Sequence, residues 1–232
     1  MRAVHAVQGL QVTQLPGDGG AGCGWIELAR PEKRNCLSQT MLTGLRAVLD
    51  HPAADRLLLT GAGAGFCSGL DLQEVAGPDA GLKSLHLLVA VYRNWLRLRI
   101  PTAVLAGGFA VGGGAGLLLC AGTVLVAEPF RFRVPKGELA RLAAVVVPLC
   151  ELRAGGKTPP GGWLGCDLNA TEAQALGLVD QVVPASVLAE FRRTQRVESG
   201  WFRAGERSQA SVSAALEKME FVLESYLGRA DE

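Results

Sequence analysis

The sequence has almost no excess charge: Lys and Arg total 23 against 22 Asp and Glu over 232 residues, a formal net charge of +1. A chain so balanced carries no broad field of either sign, which argues against a nucleic-acid or anionic-surface partner. It also lacks cysteine pairs. Cys23, Cys36, Cys67, Cys120, Cys150 and Cys166 form no C-x-x-C motif and no zinc-ligand spacing, so no metal site is expected and the thiols read as reduced, in a cytoplasmic protein. Long apolar runs are absent too, each being broken by Gly or Pro before it could cross a bilayer, and the first eleven residues hold no signal-peptide core. A soluble protein with no membrane partner is the expectation. Histidine is scarce: His5, His51 and His86 are the only three. Gly65-Phe66-Cys67-Ser68-Gly69 has the G-x-C-x-G form of a cysteine nucleophile elbow, yet no histidine follows His86 to serve as its base. His86 itself reads as a packed helix side chain.

Glycine is plentiful, with 30 residues, and two clusters organise the chain. In residues 101–122 an apolar strand breaks at Gly112, Gly113 and Gly114 and resumes as a buried helix. A turn without side chains lets a ligand approach the backbone, and at a helix N-terminus the unpaired N–H groups favour an anion. The second cluster, Gly61 to Leu72, follows a strand at 56–60. It lacks the third glycine and the downstream acid of a dinucleotide loop, since Phe66 stands where that glycine belongs. If each turn leaves one N–H free, at Leu70 and at Gly113, a carbonyl oxygen between them could become negative at low cost. Glu138, Lys136 and Asp71 are the titratable groups that could then move a proton.

Around these turns the pattern alternates. A hairpin is predicted from residues 9–14 and 24–28. A helix capped by Ser38 carries Met41, Leu42, Leu45, Val48 and Leu49 on one stripe, and another, over 82–97, carries Leu85, Leu88, Val89, Tyr92, Trp95 and Leu96. A strand at 123–127 leads into a charged segment to Glu138, residues 155–162 suit a loop, and a short helix capped by Thr171 ends at Gly177. The tail from 187 to 227 reads as amphipathic helix, with Leu216, Met219, Phe221, Val222 and Leu223 able to face a partner. Strand and helix thus alternate in an α/β arrangement of repeated β–β–α units.

The ordered set Arg30-Pro31-Glu32-Lys33-Arg34-Asn35-Cys36-Leu37-Ser38, Gly65 to Leu72, Gly108 to Gly114, and Ala170-Thr171-Glu172-Ala173 with Gly177 to Pro184 resembles the crotonase, or enoyl-CoA hydratase/isomerase, superfamily. The resemblance implies an α/β crotonase (ClpP-like) spiral of β–β–α units over 1–186, with a C-terminal helical segment over 187–232 for packing or oligomerisation. It implies an acyl-CoA thioester substrate, no cofactor apart from the CoA carried by that substrate, and a homotrimer or homohexamer. By the same resemblance Leu70 and Gly113 supply the oxyanion-hole N–H groups. Arg30, Lys33, Asn35, Cys36, Leu37, Ser68, Asp71 and Gly112 match substrate-binding positions. Hydratases of the family use two glutamates, and Gly116 stands at the first of those positions. The second is Lys136 by an ungapped count, or Glu138 against the pattern of Δ3,Δ2-enoyl-CoA isomerases, which also lack the first glutamate. That pattern makes Glu138 the catalytic base of a double-bond isomerase. Other chemistry on acyl thioesters (hydration, decarboxylation, tailoring) and a non-catalytic acyl-CoA binder remain open.

Overall fold

The computed structural model describes residues 2–16, 22–76, 78–202 and 208–227. Its strands join in one sheet. β1 (Arg2–Val7), β2 (Leu10–Leu15) and β3 (Cys23–Leu28) form an antiparallel meander, and β4 (Arg56–Gly61), β5 (Thr102–Val111) and β6 (Thr123–Arg133) continue it in parallel. β7 (Asp167–Asn169) pairs antiparallel with the end of β6, and β8 (Gln181–Val183) pairs parallel with its middle. The predicted hairpin is present in register from Leu10 opposite Leu28 to Leu15 opposite Cys23, while its turn at 17–21 lies outside the described residues. β1 has no counterpart in the sequence reading.

Parallel strands are covered on both faces, so they need apolar side chains throughout. Leu57, Leu59, Val104, Ala106, Val124 and Val126 point to one core; Leu58, Ala103, Leu105, Leu125 and Ala127 point to the other. Each fully buried Leu or Val contributes roughly 1.5–3 kcal/mol relative to exposure. The first face is covered by α1 (Gln39–Asp50), α2 (Pro78–Arg97) and α3 (Gly113–Cys120). Ser38 caps α1 as predicted, its hydroxyl accepting from the Met41 N–H at 3.2 Å. On α2 the predicted stripe is buried at Leu85, Leu88, Val89, Tyr92 and Trp95, but His86, expected to pack, is exposed. It lies one residue beyond the stripe, about 100° around the helix.

Two expectations change downstream, and one stretch without a reading is filled. The charged segment after Ala127 is strand: Gly107 pairs with Ala127 and Gly108 with Phe130, so β6 skips Glu128 and Pro129 and runs on to Arg133. The apolar stretch after Glu138 holds two short helices, α4 (Ala140–Ala143) and α5 (Val147–Ala154), and the loop at 155–162 follows as predicted. The short helix α6 (Ala170–Ala175) is capped by Asn169 rather than Thr171. Asn169 Oδ1 accepts from the Glu172 N–H at 2.9 Å, and the Glu172 carboxylate accepts from the Asn169 N–H at 2.7 Å, a reciprocal cap that Thr171 could not make from inside the helix.

The tail is two helices, not one. α7 (Ala185–Thr194) ends at Gln195 with φ of +53°, a 3₁₀ turn follows at Ser199–Trp201, and α8 (Gln209–Leu227) is a separate helix. Leu188, Phe191 and Trp201 seal the second face of the sheet, with Phe191 edge-on to Trp25 at 5.2 Å. Leu216, Met219 and Leu223 of α8 bury against the chain's own first core, whereas Phe221 is exposed. Among the described residues no helix is long and apolar enough to cross a membrane.

Candidate active site

The break between β5 and α3 forms the first half of the site. Gly112 adopts φ of +49° and donates its N–H to the Arg133 carbonyl at 2.9 Å, which ties the turn to the end of β6. α3 begins at Gly113 without any side-chain cap, and all its residues are buried. The Gly113 N–H has no hydrogen-bond partner among the described residues. It is a bare donor at the positive end of a helix.

The second half is the segment after Gly65. Phe66 and Cys67 donate to the Phe109 carbonyl at 3.0 and 3.2 Å, and Val111 donates to the Cys67 carbonyl at 3.0 Å, so this segment runs along β5 as an added strand. On its other side the Leu37 N–H reaches Gly69 O at 2.7 Å and the Asp71 N–H reaches Leu37 O at 3.0 Å. In such a parallel bridge the N–H of the intervening residue points away from the partner. Leu70 is that residue, and its N–H also has no partner among the described residues. The two bare donors adjoin: a β-carbon built on Gly113 would lie 3.7 Å from the Leu70 nitrogen, and one built on Gly69 would lie 3.3 Å from the Gly113 nitrogen. Two neighbouring bare N–H groups that point to one place are the arrangement that can hold a developing oxyanion.

Beside the hole stands Tyr92. Its hydroxyl donates to the Gly113 carbonyl at 2.6 Å, and the side chain is fully buried. A β-carbon on Gly116 would meet that hydroxyl oxygen at 2.3 Å. The space a side chain at 116 would enter is therefore filled by the phenol.

Residues 30–37 dock against the second half of the hole. Asn35, buried and at φ of +53°, accepts from the Arg30 N–H at 2.9 Å and donates to the carbonyls of Ala62 and Gly65, both at 2.8 Å. The Arg30 guanidinium bonds the Cys36 carbonyl at 3.1 Å and the Asp71 carboxylate at 3.0 Å. Arg30, Asn35 and Asp71 are thus engaged within the protein, and Cys36 and Leu37 are buried. Lys33 is exposed, Ser68 is half-buried with its N–H on the Arg34 carbonyl, and Gly112 lies in the turn itself. Burial alone would raise the Asp71 pKa, but hydrogen bonds from the Cys36 thiol and the Gln73 N–H and the Arg30 guanidinium outweigh it, and the carboxyl stays below its ordinary value. A lowered folded pKa stabilises fully above the unfolded value, about 3.9, and the gain is lost as pH falls toward the folded one. Asp167, lowered chiefly by the Arg133 hydrogen bond, adds in the same direction. Asp71→Asn should accordingly flatten the acid limb of a melting-temperature profile as pH falls below about 5. Parallel profiles for variant and wild type would sink this assignment.

Cys67 is no nucleophile: its thiol is fully buried, and burial pushes its pKa up to about 12. Glu138 sits in a 3₁₀ turn, Gly137–Leu139, just after β6. It is exposed and makes no hydrogen bond or ion pair among the described residues. Pro135, three residues before Glu138, rests on the glycine turn, its ring 3.6 Å from the β-carbon position of Gly112. Lys136 points elsewhere, its stem lying along Gly165, where a built β-carbon would meet it at 2.9 Å. Two contributors were missed by the sequence reading. Tyr92 is visible there only as one member of an apolar stripe. Arg192 on α7 bonds the Gly61 and Gly63 carbonyls at 2.8 and 2.7 Å, steadying the glycine segment that leads to Leu70, and one of two adjacent arginines on an amphipathic helix gives no such signal.

The sequence profile of the Enoyl-CoA hydratase/isomerase family matches residues 18–221. The chain is 29% identical over 199 residues to a protein of Mycobacterium bovis named as a probable enoyl-CoA hydratase, covering 83% of this chain and 74% of that one. It is 30% identical over 177 residues to the 1,2-epoxyphenylacetyl-CoA isomerase of Escherichia coli, covering 71% and 68%. Among solved structures, the enoyl-CoA hydratase of Bacillus anthracis superposes with a TM-score of 0.70 at 27% identity over 80% of this chain and 74% of that one. With two adjoining glycine turns that carry bare N–H groups and the profile spanning most of the sequence, the chain belongs to the enoyl-CoA hydratase/isomerase family, within the crotonase superfamily, and is an enzyme of that type.

Proposed function

We propose that the protein moves the double bond of a 3-enoyl-CoA into conjugation with its thioester. One observation carries this choice over hydration: Tyr92 fills the space beside Gly116, the position matched to the first of the two hydratase glutamates. Water addition by two carboxylates has no room for the first of them. A single base suffices for isomerisation. Glu138 would take a proton from C2, the Leu70 and Gly113 N–H groups would hold the enolate oxygen, and the same carboxylate would return the proton to C4. No atom is gained or lost. Lys33 and its neighbours on the 30–37 segment would receive the CoA portion. The reading includes a cytoplasmic homotrimer or homohexamer.

The test is direct. Purified protein is mixed with a 3-enoyl-CoA, the conjugated 2-enoyl product is followed by ultraviolet absorbance, and 3-hydroxyacyl-CoA is assayed in parallel. Conjugated product that accumulates without hydration supports the proposal. Efficient hydration of a 2-enoyl-CoA would overturn it in favour of a hydratase, and no turnover with binding intact would leave the binding-only alternative.

A further inference from the structure

We infer that Tyr92 is a positioning residue of the oxyanion hole, holding the first turn of α3 so that the Gly113 N–H is aimed at the same point as the Leu70 N–H. This inference rests on the enolate-hole reading above. Three consecutive glycines form the turn, and a backbone without side chains has the most conformational freedom to lose. No side chain caps the helix at Gly112. Besides the ladder inside α3, the turn is held by Gly112 N–H to Arg133 O at 2.9 Å, by Gly116 N–H to Gly112 O at 3.0 Å, and by the phenol of Tyr92 on Gly113 O at 2.6 Å. Tyr92 makes the side-chain hydrogen bond to the residue that carries the donor. Fixing that residue's carbonyl restrains its rotation, and an oxyanion hole works because its donors need not reorganise as charge develops.

The surroundings fix the phenol in turn. Tyr92 and Leu88 are four residues apart on α2 and so share a face. Leu88 rests on Gly113, at 3.0 Å from its β-carbon position, while the Tyr92 hydroxyl rests on Gly116, at 2.3 Å. Helix packing alone needs small residues on one side and apolar ones on the other. A buried O–H aimed at the Gly113 carbonyl does more than packing requires, because a phenylalanine would fill nearly the same volume.

Two readouts test the role. In the isomerase assay Tyr92→Phe should lower kcat about tenfold and leave KM within about twofold, as expected when one hydrogen bond that orients the hole is lost. In an isotope-edited infrared experiment, a saturated acyl-CoA labelled with carbon-13 at its thioester carbonyl binds but cannot react. Its carbonyl stretch should fall to lower frequency in wild type, and Tyr92→Phe should lose a large part of that shift. Gly116→Ala, which keeps the tyrosine but displaces its hydroxyl, should reproduce the loss, so the inference does not depend on one variant folding. Leu88→Ala removes packing alone and should keep the shift. A full carbonyl shift in both Tyr92→Phe and Gly116→Ala would overturn the inference, as would equal losses in Leu88→Ala. No shift in wild type would overturn the hole and the role of Tyr92 together. A shift in wild type without turnover of a 3-enoyl-CoA would overturn the isomerase reading alone and leave Tyr92 testable by the spectrum.

Discussion

Replacing Glu138 with glutamine should lower isomerisation of a 3-enoyl-CoA about a thousandfold, within the range expected when a positioned acid–base group is removed. The substitution isolates chemistry from folding. Glu138 is exposed and has no hydrogen bond or ion pair among the described residues, so its amide counterpart disturbs nothing that holds the chain together. Stability should stay within about 0.5 kcal/mol of wild type. KM should change little, because in the proposed reaction the carboxylate acts on a C–H proton rather than on the CoA. Lys136→Met is the companion measurement. The Lys136 stem lies along Gly165, away from Gly112, and its loss should leave most of the rate. A thousandfold loss in Lys136→Met with little change in Glu138→Gln would transfer the proton chemistry to the lysine.

Gly69→Ala should cost about a hundredfold or more in kcat, the scale on which an oxyanion-hole donor matters. Gly69 adopts φ of +94°, a region that strains any residue with a β-carbon. The added carbon would lie 2.9 Å from the Val111 carbonyl oxygen and 3.3 Å from the Gly113 nitrogen. Both neighbours are backbone and cannot swing aside. Relief must come from parting the two glycine turns or from rotating the peptide that bears the Leu70 N–H, and either motion spoils the convergence of the donors. Gly155→Ala separates strain from contact. Gly155 has φ of +58°, yet a β-carbon there would have nothing within 4 Å. That variant should lose a little stability and keep its activity. Equal activity in Gly69→Ala and Gly155→Ala, measured beside thermal unfolding, would remove the hole from its assigned place.

Legibility in the sequence followed the range of the interaction. The glycine turns, the Ser38 cap and the stripes of α1 and α2 were visible because each depends on residues a few positions apart. The segment 30–37 could be placed beside the second glycine turn only through its resemblance, since the bond from Leu37 N–H to Gly69 O links residues far apart in sequence. β1 escaped notice because its strand character comes from pairing with β2. Pro129 hid the second half of β6, since a proline reads as a stop where the ladder in fact skips two residues. Pro148 hid α5 in a similar way, although a proline in a helix's first turn lacks only a donor that would be idle there. Asn169 and Thr171 are both acceptable caps by type, and the choice lay in the reciprocal bond with Glu172. Tyr92 needed the structure most. Its partner carbonyl is 21 positions away, and no local pattern distinguishes a tyrosine that fills space from one that orients a turn.

The hold of Arg192 on Gly61 and Gly63 also has a meaning in time. These partners are separated by 131 and 129 positions along the chain. A polypeptide leaves the ribosome from its N-terminus, so the glycine segment emerges long before the arginine that fastens it, and closing so wide a loop is among the slower events of folding. Throughout that interval the Gly61 and Gly63 carbonyls lack the guanidinium that binds them in the finished fold. The half of the hole that carries Leu70 is therefore synthesised early and secured late, and a chain arrested before α7 would carry both glycine turns without the clasp that steadies the second.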